Sequence, residues 1–192
     1  MSQNKNEIGC YEFSKLKAIP YLEAKLKADP ATYEHCKHVA NLSLRLVRQT
    51  SLNIDEALVY YSGLFHDIGK TVIVPELLNK KEPLSDSEYK QIQEHSELGL
   101  QILQRFQLPA EILDTAFLHH EKYDGSGYPL GYAGEKIPVI ARIVHISDVF
   151  DALTSDRPYR QALPIDEALK IMAECDKNFD PELYFIFLST CL

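Results

Sequence analysis

Apolar residues recur three or four positions apart along almost the whole chain. Pro, Gly, Asn, Asp and Ser divide this pattern into segments of roughly 10–20 residues, which is the length of ordinary helices. Alternating patterns of the kind that β-strands show are nearly absent. The pattern therefore predicts an all-α fold, a helical bundle over residues 19–192, preceded by residues 1–18 as a polar tail or a short leading helix.

Histidines occupy inward or terminal positions of four predicted helices. The predicted helices run from about Thr32 to Gln49, from a cap at Asn53 to a left-handed cap at Gly69, from a capping box at Ser85, and from Pro109 onward. Any one of these histidines alone is more often a hydrogen-bonded core residue than a metal ligand. The set is His35, His66, His95, His119 and His120.

Two aspartates accompany these histidines. Asp67 follows His66 in the last turn of its predicted helix, and Asp148 lies in a fifth helix, Val139 to Leu153, that is apolar nearly all round. Burying so many polar groups is unfavourable unless a cation pairs with them. Imidazole and carboxylate ligands without thiolates suit iron, manganese, zinc or nickel better than calcium, so the sequence predicts a metal site.

The net charge of the chain narrows the class of ligand. The 192-residue chain has a formal net charge of −8 and a pI near 5.4, which argues against binding a polymeric nucleic acid. A small anion could still bind at a metal.

The four cysteines show no CxxC pair, and no apolar run predicts a signal peptide or a membrane segment. We therefore expect a cytoplasmic protein that does not bind membranes.

Four short motifs make the sequence recognisable. They are His66-Asp67-Ile68-Gly69-Lys70, the stretch HHEKYDGSGYP from His119 to Pro129, Arg157-Pro158-Tyr159-Arg160, and Phe179-Asp180-Pro181. With them the chain resembles, over about residues 30 to 185, the HD-GYP family of cyclic di-GMP phosphodiesterases. This family is a branch of the HD-domain metal-dependent phosphohydrolases. The resemblance implies an HD-domain helical bundle with a GYP loop.

The resemblance also implies an activity and a set of site residues. The activity is hydrolysis of cyclic di-GMP to linear pGpG, and in some members on to GMP, in bacterial signalling. The implied catalytic residues are Asp67, as the bridging ligand, and Lys70. The implied substrate-binding residues are Lys70, Gly127, Tyr128, Pro129, Arg157 and Arg160. The implied metal ligands are His35, His66, Asp67, His95, His119, His120 and Asp148.

The implied cofactors are two divalent metal ions, with iron or manganese favoured over zinc or nickel. A third ion would need a glutamate one helical turn before His35, where this sequence has Ala31. Glu121 is expected to support the site from outside the ligand set. Asp151 is expected either to do the same or to interact with Arg157, and His38 and His145 are expected to be structural or peripheral.

Two other functions remain open from the sequence. One is an HD phosphohydrolase that acts on another cyclic dinucleotide or nucleotide, and the other is a non-catalytic cyclic di-GMP receptor or scaffold. No sensory domain fits into the residues before His35. Regulation is therefore expected from a protein partner, from expression, or from a part of the protein outside this sequence.

Overall fold

The computed structural model describes residues 18–156 and 161–191, and these ranges are helical without any β-strand. This confirms the all-α prediction. The α-helices are α1 (Ala18–Lys27), α2 (Pro30–Val47), α3 (Glu56–Phe65), α4 (Pro75–Leu78), α5 (Asp86–Gln93), α6 (His95–Gln104), α7 (Ala110–Leu118), α8 (Val139–Thr154), α9 (Ile165–Glu174) and α10 (Pro181–Cys191). Short 3₁₀ turns cover Ile68–Val72, Gly134–Lys136 and Asp176–Asn178.

Helix α2 is the central element because it belongs to both of the large hydrophobic clusters. Its Val39 and Leu46 join a cluster formed mainly with α8, α9 and α10, which we call the α8 cluster. Its Cys36 and Ala40 join a second cluster with α1, α3, α6 and α7, which we call the α7 cluster. Asp29 fixes the start of α2, since its Oδ1 accepts from the backbone N–H of residues 31 and 32.

The start of α3 differs from the prediction. Asp55, not Asn53, is the N-cap, and its carboxylate accepts a hydrogen bond from the backbone N–H of Ala57 at 2.8 Å. Both residues are favourable caps, so the pattern alone could not choose between them. The helix then ends at Phe65, which leaves His66 and Asp67 in a short connection to the 3₁₀ turn.

Gly69 does not form the predicted left-handed cap. It lies inside the 3₁₀ turn Ile68–Val72, and the positive-φ glycines of the described residues are others, Gly125, Gly131 and Gly134. A Cβ on Gly69 would stand 1.9 Å from the carbonyl oxygen of His95. The glycine is thus required by a close approach between this turn and the start of α6, a contact that local sequence does not reveal.

The third and fourth predicted helices are largely confirmed. The capping box is present, since Ser85 Oγ accepts from the N–H of Glu88 and the Glu88 carboxylate accepts from the N–H of Ser85. The helix that follows is interrupted at Glu94, so His95 begins a separate helix, α6. Pro109 directly precedes α7, as predicted.

No helix in the described ranges is both long and apolar enough to cross a bilayer.

Substituting Gly69 tests the contact between the turn and α6. We expect Gly69→Ala to lower the free energy of unfolding by about 1–3 kcal/mol or more, because the new methyl group collides with backbone. Chemical denaturation followed by circular dichroism measures this change. Gly99→Ala is the matched control, since its Cβ would meet its nearest neighbour at an ordinary 3.5 Å. Equal stability of the two variants would contradict the prediction.

Candidate metal centre

The seven predicted ligands come from five separate places in the chain and meet in one cluster. They are brought together by α2, by the connection after α3, by the first residue of α6, by the end of α7 and by α8. Their donor atoms form two adjoining groups, within each of which all atoms lie within 4.8 Å of one another. One group is Asp67, His95, His119 and His120, and the other is His35, His66 and Asp148.

Asp67 lies between these two groups and faces both. Its Oδ2 lies 3.6 Å from the Nε2 of His35 and 3.4 Å from the Nε2 of His66. Its Oδ1 lies 3.3 Å from the Nε2 of His95 and 3.8 Å from that of His119. One carboxylate oxygen is therefore directed to each group, which is the arrangement that a bridging ligand needs.

Backbone carbonyls fix the orientation of three histidine rings. The Nδ1 atoms of His66 and His95 lie 2.6 Å from the carbonyl oxygens of Gly63 and Ile92, respectively. The Nδ1 of His119 lies 3.1 Å from the carbonyl oxygen of Thr115. A carbonyl only accepts, so Nδ1 carries the proton in each ring. The Nε2 atoms then point into the cluster, as they do in histidines that bind metals. Burial lowers the pKa of His95 and His119, so these two rings keep an Nε2 lone pair. At His66 the charge of Asp67 helps to outweigh burial, and the pKa lies well above its usual range.

Some of the potential ligand atoms in the cluster are buried and form no hydrogen bond among the described residues. They are His66 Nε2 and Asp67 Oδ1. The Nε2 atoms of His95 and His119 lie 3.3 Å apart with their lone pairs facing each other. Two nitrogen ligands of one cation, with bonds of about 2.0–2.1 Å, stand at about this separation. The donor set therefore fits a cation and is unfavourable without one.

The histidine pair after α7 is held in the neutral form. Burial lowers the pKa of His119 and of His120 well below its usual range, and neighbouring histidines add to this effect. A neutral imidazole keeps the lone pair that a metal requires.

Lys70 supplies a positive charge at the edge of the cluster. Its Nζ donates to Asp67 Oδ2 at 2.5 Å. Burial raises the pKa of Asp67, but Lys70, His66 and His95 together outweigh burial and hold this pKa well below its usual range. Burial likewise lowers the pKa of Lys70, but Asp67 and Asp148 more than compensate and raise it. Both groups are therefore charged.

Asp151 supports His35 from the side away from the cluster. Its Oδ2 accepts a hydrogen bond from His35 Nδ1 at 2.6 Å, and its Oδ1 accepts from Ser155 Oγ at 2.9 Å. His38 lies 3.3 Å from the same carboxylate and is largely exposed, in agreement with a peripheral role. Glu34, next to His35, is exposed and bonded to Lys37.

The GYP loop packs directly onto the histidine pair. The ring of Tyr128 stacks on that of His120 with centroids 4.8 Å apart, and the Tyr128 N–H donates to the His120 carbonyl at 3.2 Å. A Cβ on Gly127 would stand 2.5 Å from the same carbonyl. Gly127 is thus required by packing against the chain itself, a reason that the sequence pattern did not indicate. The buried Glu121 holds the loop by accepting from the N–H groups of residues 130 and 132.

His145 has a more specific structural role than the sequence suggested. Its ring is buried on α8, one turn before Asp148, and its Nδ1 donates to the carbonyl oxygen of His119 at 2.9 Å. This bond ties the end of α7 to α8. The sequence offered one indication of this role, since His145 and Asp148 are three residues apart on a helix and therefore lie close to each other. Arg157 and Arg160, predicted to bind substrate, lie outside the described residues.

A helical bundle with such a histidine and aspartate cluster is characteristic of the metal-dependent phosphohydrolase class. The sequence matches the HD domain family over residues 21–183. The chain therefore belongs to the HD domain family and, by its motifs and relatives, to the HD-GYP branch that the sequence predicted.

Curated relatives agree with this assignment. The chain is 39% identical over 165 residues to the cyclic di-GMP phosphodiesterase PA4108 of Pseudomonas aeruginosa, an alignment that covers 84% of this chain and 39% of that protein. It is 41% identical over 142 residues to the 3'3'-cGAMP-specific phosphodiesterase 1 of Vibrio cholerae, covering 73% and 33%, respectively. The alignments thus span 39% and 33% of the lengths of these two relatives.

Solved structures support the fold. The HD domain of the phosphodiesterase PgpH from L. monocytogenes, in complex with cyclic-di-AMP, superposes with a TM-score of 0.65 at 23% identity. The superposition covers 89% of this chain and 93% of that one. At this identity the likeness concerns the fold alone.

Removing the Asp151 carboxylate tests its support of His35. We expect Asp151→Ala to weaken metal binding about 10–100-fold, the usual effect of losing a partner that orients a histidine ligand. Elemental analysis after dialysis against a graded chelator measures this affinity. The exposed Asp156, whose carboxylate accepts from the N–H of Ala162, provides the control variant Asp156→Ala. Unchanged metal retention in Asp151→Ala would show that His35 needs no such support.

Proposed function

We propose that this chain hydrolyses a phosphodiester bond of a cyclic dinucleotide, cyclic di-GMP first, to linear pGpG and in a further step GMP. The observation that carries the proposal is the position of Asp67, which directs one oxygen toward each group of ligand atoms. Its Oδ1 is buried and has no hydrogen bond among the described residues. Two metals about 3.5–4 Å apart and bridged by one carboxylate are the usual machinery for in-line displacement at phosphorus. The name of the relative PA4108 supports the substrate.

Two divalent ions, iron or manganese first and zinc or nickel as alternatives, would supply an activated water and polarise the phosphate. We assign one ion to His35, His66, Asp148 and Asp67, and the other to Asp67, His95, His119 and His120. Lys70, charged and beside Asp67, would offset the negative charge that develops on the phosphoryl oxygens. Asp67 and Lys70 are thus the proposed catalytic residues.

Substrate binding is assigned to the rim of the cluster. A cavity of about 450 Å³ opens at His35 and Lys70 and is bounded by Ile92 and Ser155. We propose that the GYP loop, with Gly127, Tyr128 and Pro129, borders the substrate on the side of His120. Arg157 and Arg160 are proposed to bind the second phosphate, since the guanidinium group binds phosphate with two parallel hydrogen bonds.

A second candidate substrate is a hybrid cyclic dinucleotide. The relative from Vibrio cholerae whose name specifies 3'3'-cGAMP is 41% identical, which is no lower than the 39% of the cyclic di-GMP enzyme. The complete ligand set counts against a receptor without turnover.

The cytoplasmic location and a regulatory protein partner stay predictions from the sequence.

Replacing the proposed bridging ligand tests the activity. We expect Asp67→Ala to lose turnover of cyclic di-GMP and to bind fewer metal ions, while its helical circular dichroism remains, because the core is largely aliphatic. Turnover of cyclic di-GMP and 3'3'-cGAMP is followed by chromatography with added manganese or ferrous iron. Asp166→Ala, at an exposed carboxylate of α9 outside the cavity, is the control. Full activity in Asp67→Ala would refute the site, and saturable binding without product in the native chain would favour the receptor.

The number of ions is tested by adding the ligand that this chain lacks. Ala31 lies exposed on the cavity wall one helical turn before His35. We expect two ions per native chain and a third in Ala31→Glu, because residues at i and i+4 share one helical face. Anomalous scattering from crystals of both proteins counts the ions. Three well-occupied ions in the native cluster would contradict the prediction.

A further inference from the structure

The substrate cavity continues into a second one. The second cavity, with a volume of about 440 Å³, lies between α1, the loop before α2, and α4. It shares Asp29, Lys70, Leu78 and Asn79 with the first cavity. The two cavities therefore adjoin, and together they extend from His35 beside the metal cluster to Lys25 on α1; we call them the groove.

The walls of the second cavity are suited to part of a nucleotide. Half of its lining residues are apolar, with Ile73, Pro75 and Leu78 on one side and Ala28 and Pro30 on the other. The other five lining residues are polar or charged: Lys25, Asp29, Lys70, Thr71 and Asn79. Apolar walls combined with polar groups that fix orientation are typical of sites for small molecules.

Lys25 is placed to bind an anion in this cavity. Within the described part of the chain, no carboxylate forms an ion pair with Lys25, whereas Lys27 on the same helix pairs with Glu23 at 3.3 Å. The one carboxylate that lines the cavity, Asp29, is already occupied. Its oxygens accept from the first backbone N–H groups of α2 and from the Thr32 hydroxyl, so the helix N-terminus offsets its charge.

Hydrolysis of one diester of a cyclic dinucleotide creates such an anion. Water adds its oxygen to phosphorus, the bond from phosphorus to the 3′ oxygen breaks, and the 3′ oxygen takes a proton. The linear product then carries a 5′-phosphate with a charge of about −1.5 to −2 at neutral pH, in addition to its remaining diester. When that diester lies at the metal cluster, the part of the groove beyond Lys70 offers a place for the terminal phosphate that is separate from the one proposed for the second phosphate of the cyclic substrate.

We propose that the second cavity is a binding site for the terminal 5′-phosphate of a linear dinucleotide, with Lys25 as its charge partner. The proposal rests on the proposed function, since it assigns a separate binding position to the linear product of that reaction. It assigns a distinct part of the groove to the linear molecule, which a cyclic dinucleotide, having no terminal phosphate, does not use in this way.

The test compares two linear guanine dinucleotides, one with a 5′-phosphate and one without it. Both carry a phosphorothioate linkage that resists hydrolysis, and isothermal titration calorimetry measures their affinities for the metal-loaded protein. We expect the native chain to bind the phosphorylated form at least about tenfold more tightly, the usual contribution of one charge-assisted contact. In Lys25→Met this ratio should fall toward one.

Lys27→Met is the matched control. Both lysines lie in the last turn of α1, so a general effect of charge at the helix end would appear in both variants. We expect Lys27→Met to keep the native ratio. Equal affinities of the native chain for the two dinucleotides, or an equal loss in both variants, would overturn the proposal.

Turnover of cyclic di-GMP by the native chain is measured in parallel. No turnover together with a preference for the 5′-phosphate that depends on Lys25 would refute the proposed function and leave the binding site intact. Turnover without that preference would refute the binding site alone.

Discussion

The carboxylate of Asp67 is buried among the Nε2 atoms of four histidines, and much of the structure follows from this. The rings of His66, His95 and His119 use their Nδ1 protons on backbone carbonyls, so their Nε2 atoms face the carboxylate. Within the described ranges, Lys70 is the lysine that contacts this carboxylate. Burying such a set costs several kcal/mol unless further positive charge enters it, and a metal ion satisfies this requirement.

Close backbone contacts, more than side-chain bonds, set the distances in the cluster. The turn that contains Gly69 lies against the carbonyl of His95, and Gly127 lies against the carbonyl of His120. Backbone is much stiffer than a long side chain, so these contacts fix the separation of neighbouring ligands. Two further hydrogen bonds then orient groups that the backbone leaves adjustable. Asp151 accepts one from His35, and His145 donates the other to the carbonyl oxygen of His119.

The sequence predicted the features that depend on local periodicity and on residue chemistry. The stripe that contains His35, the capping box at Ser85 and the polar Asp148 in an apolar helix were all visible in this way, and the structure brings the seven predicted ligands together. It did not predict the break at Glu94 or the reason for Gly69, since both depend on contacts between distant segments. The shared groove likewise depends on how α1 and α4 face each other, which no local pattern encodes.

The two hydrophobic clusters that meet at α2 give the metal ions a mechanical consequence. Ligands come from α8, which belongs to the α8 cluster, and from α6 and α7, which belong to the α7 cluster. Bound ions would therefore link two separately packed halves of the domain. Without ions, repulsion among the lone pairs and carboxylates would weaken the contact between these two halves. Metal loading would thus decide whether the domain unfolds as one cooperative unit or as two foldons in sequence.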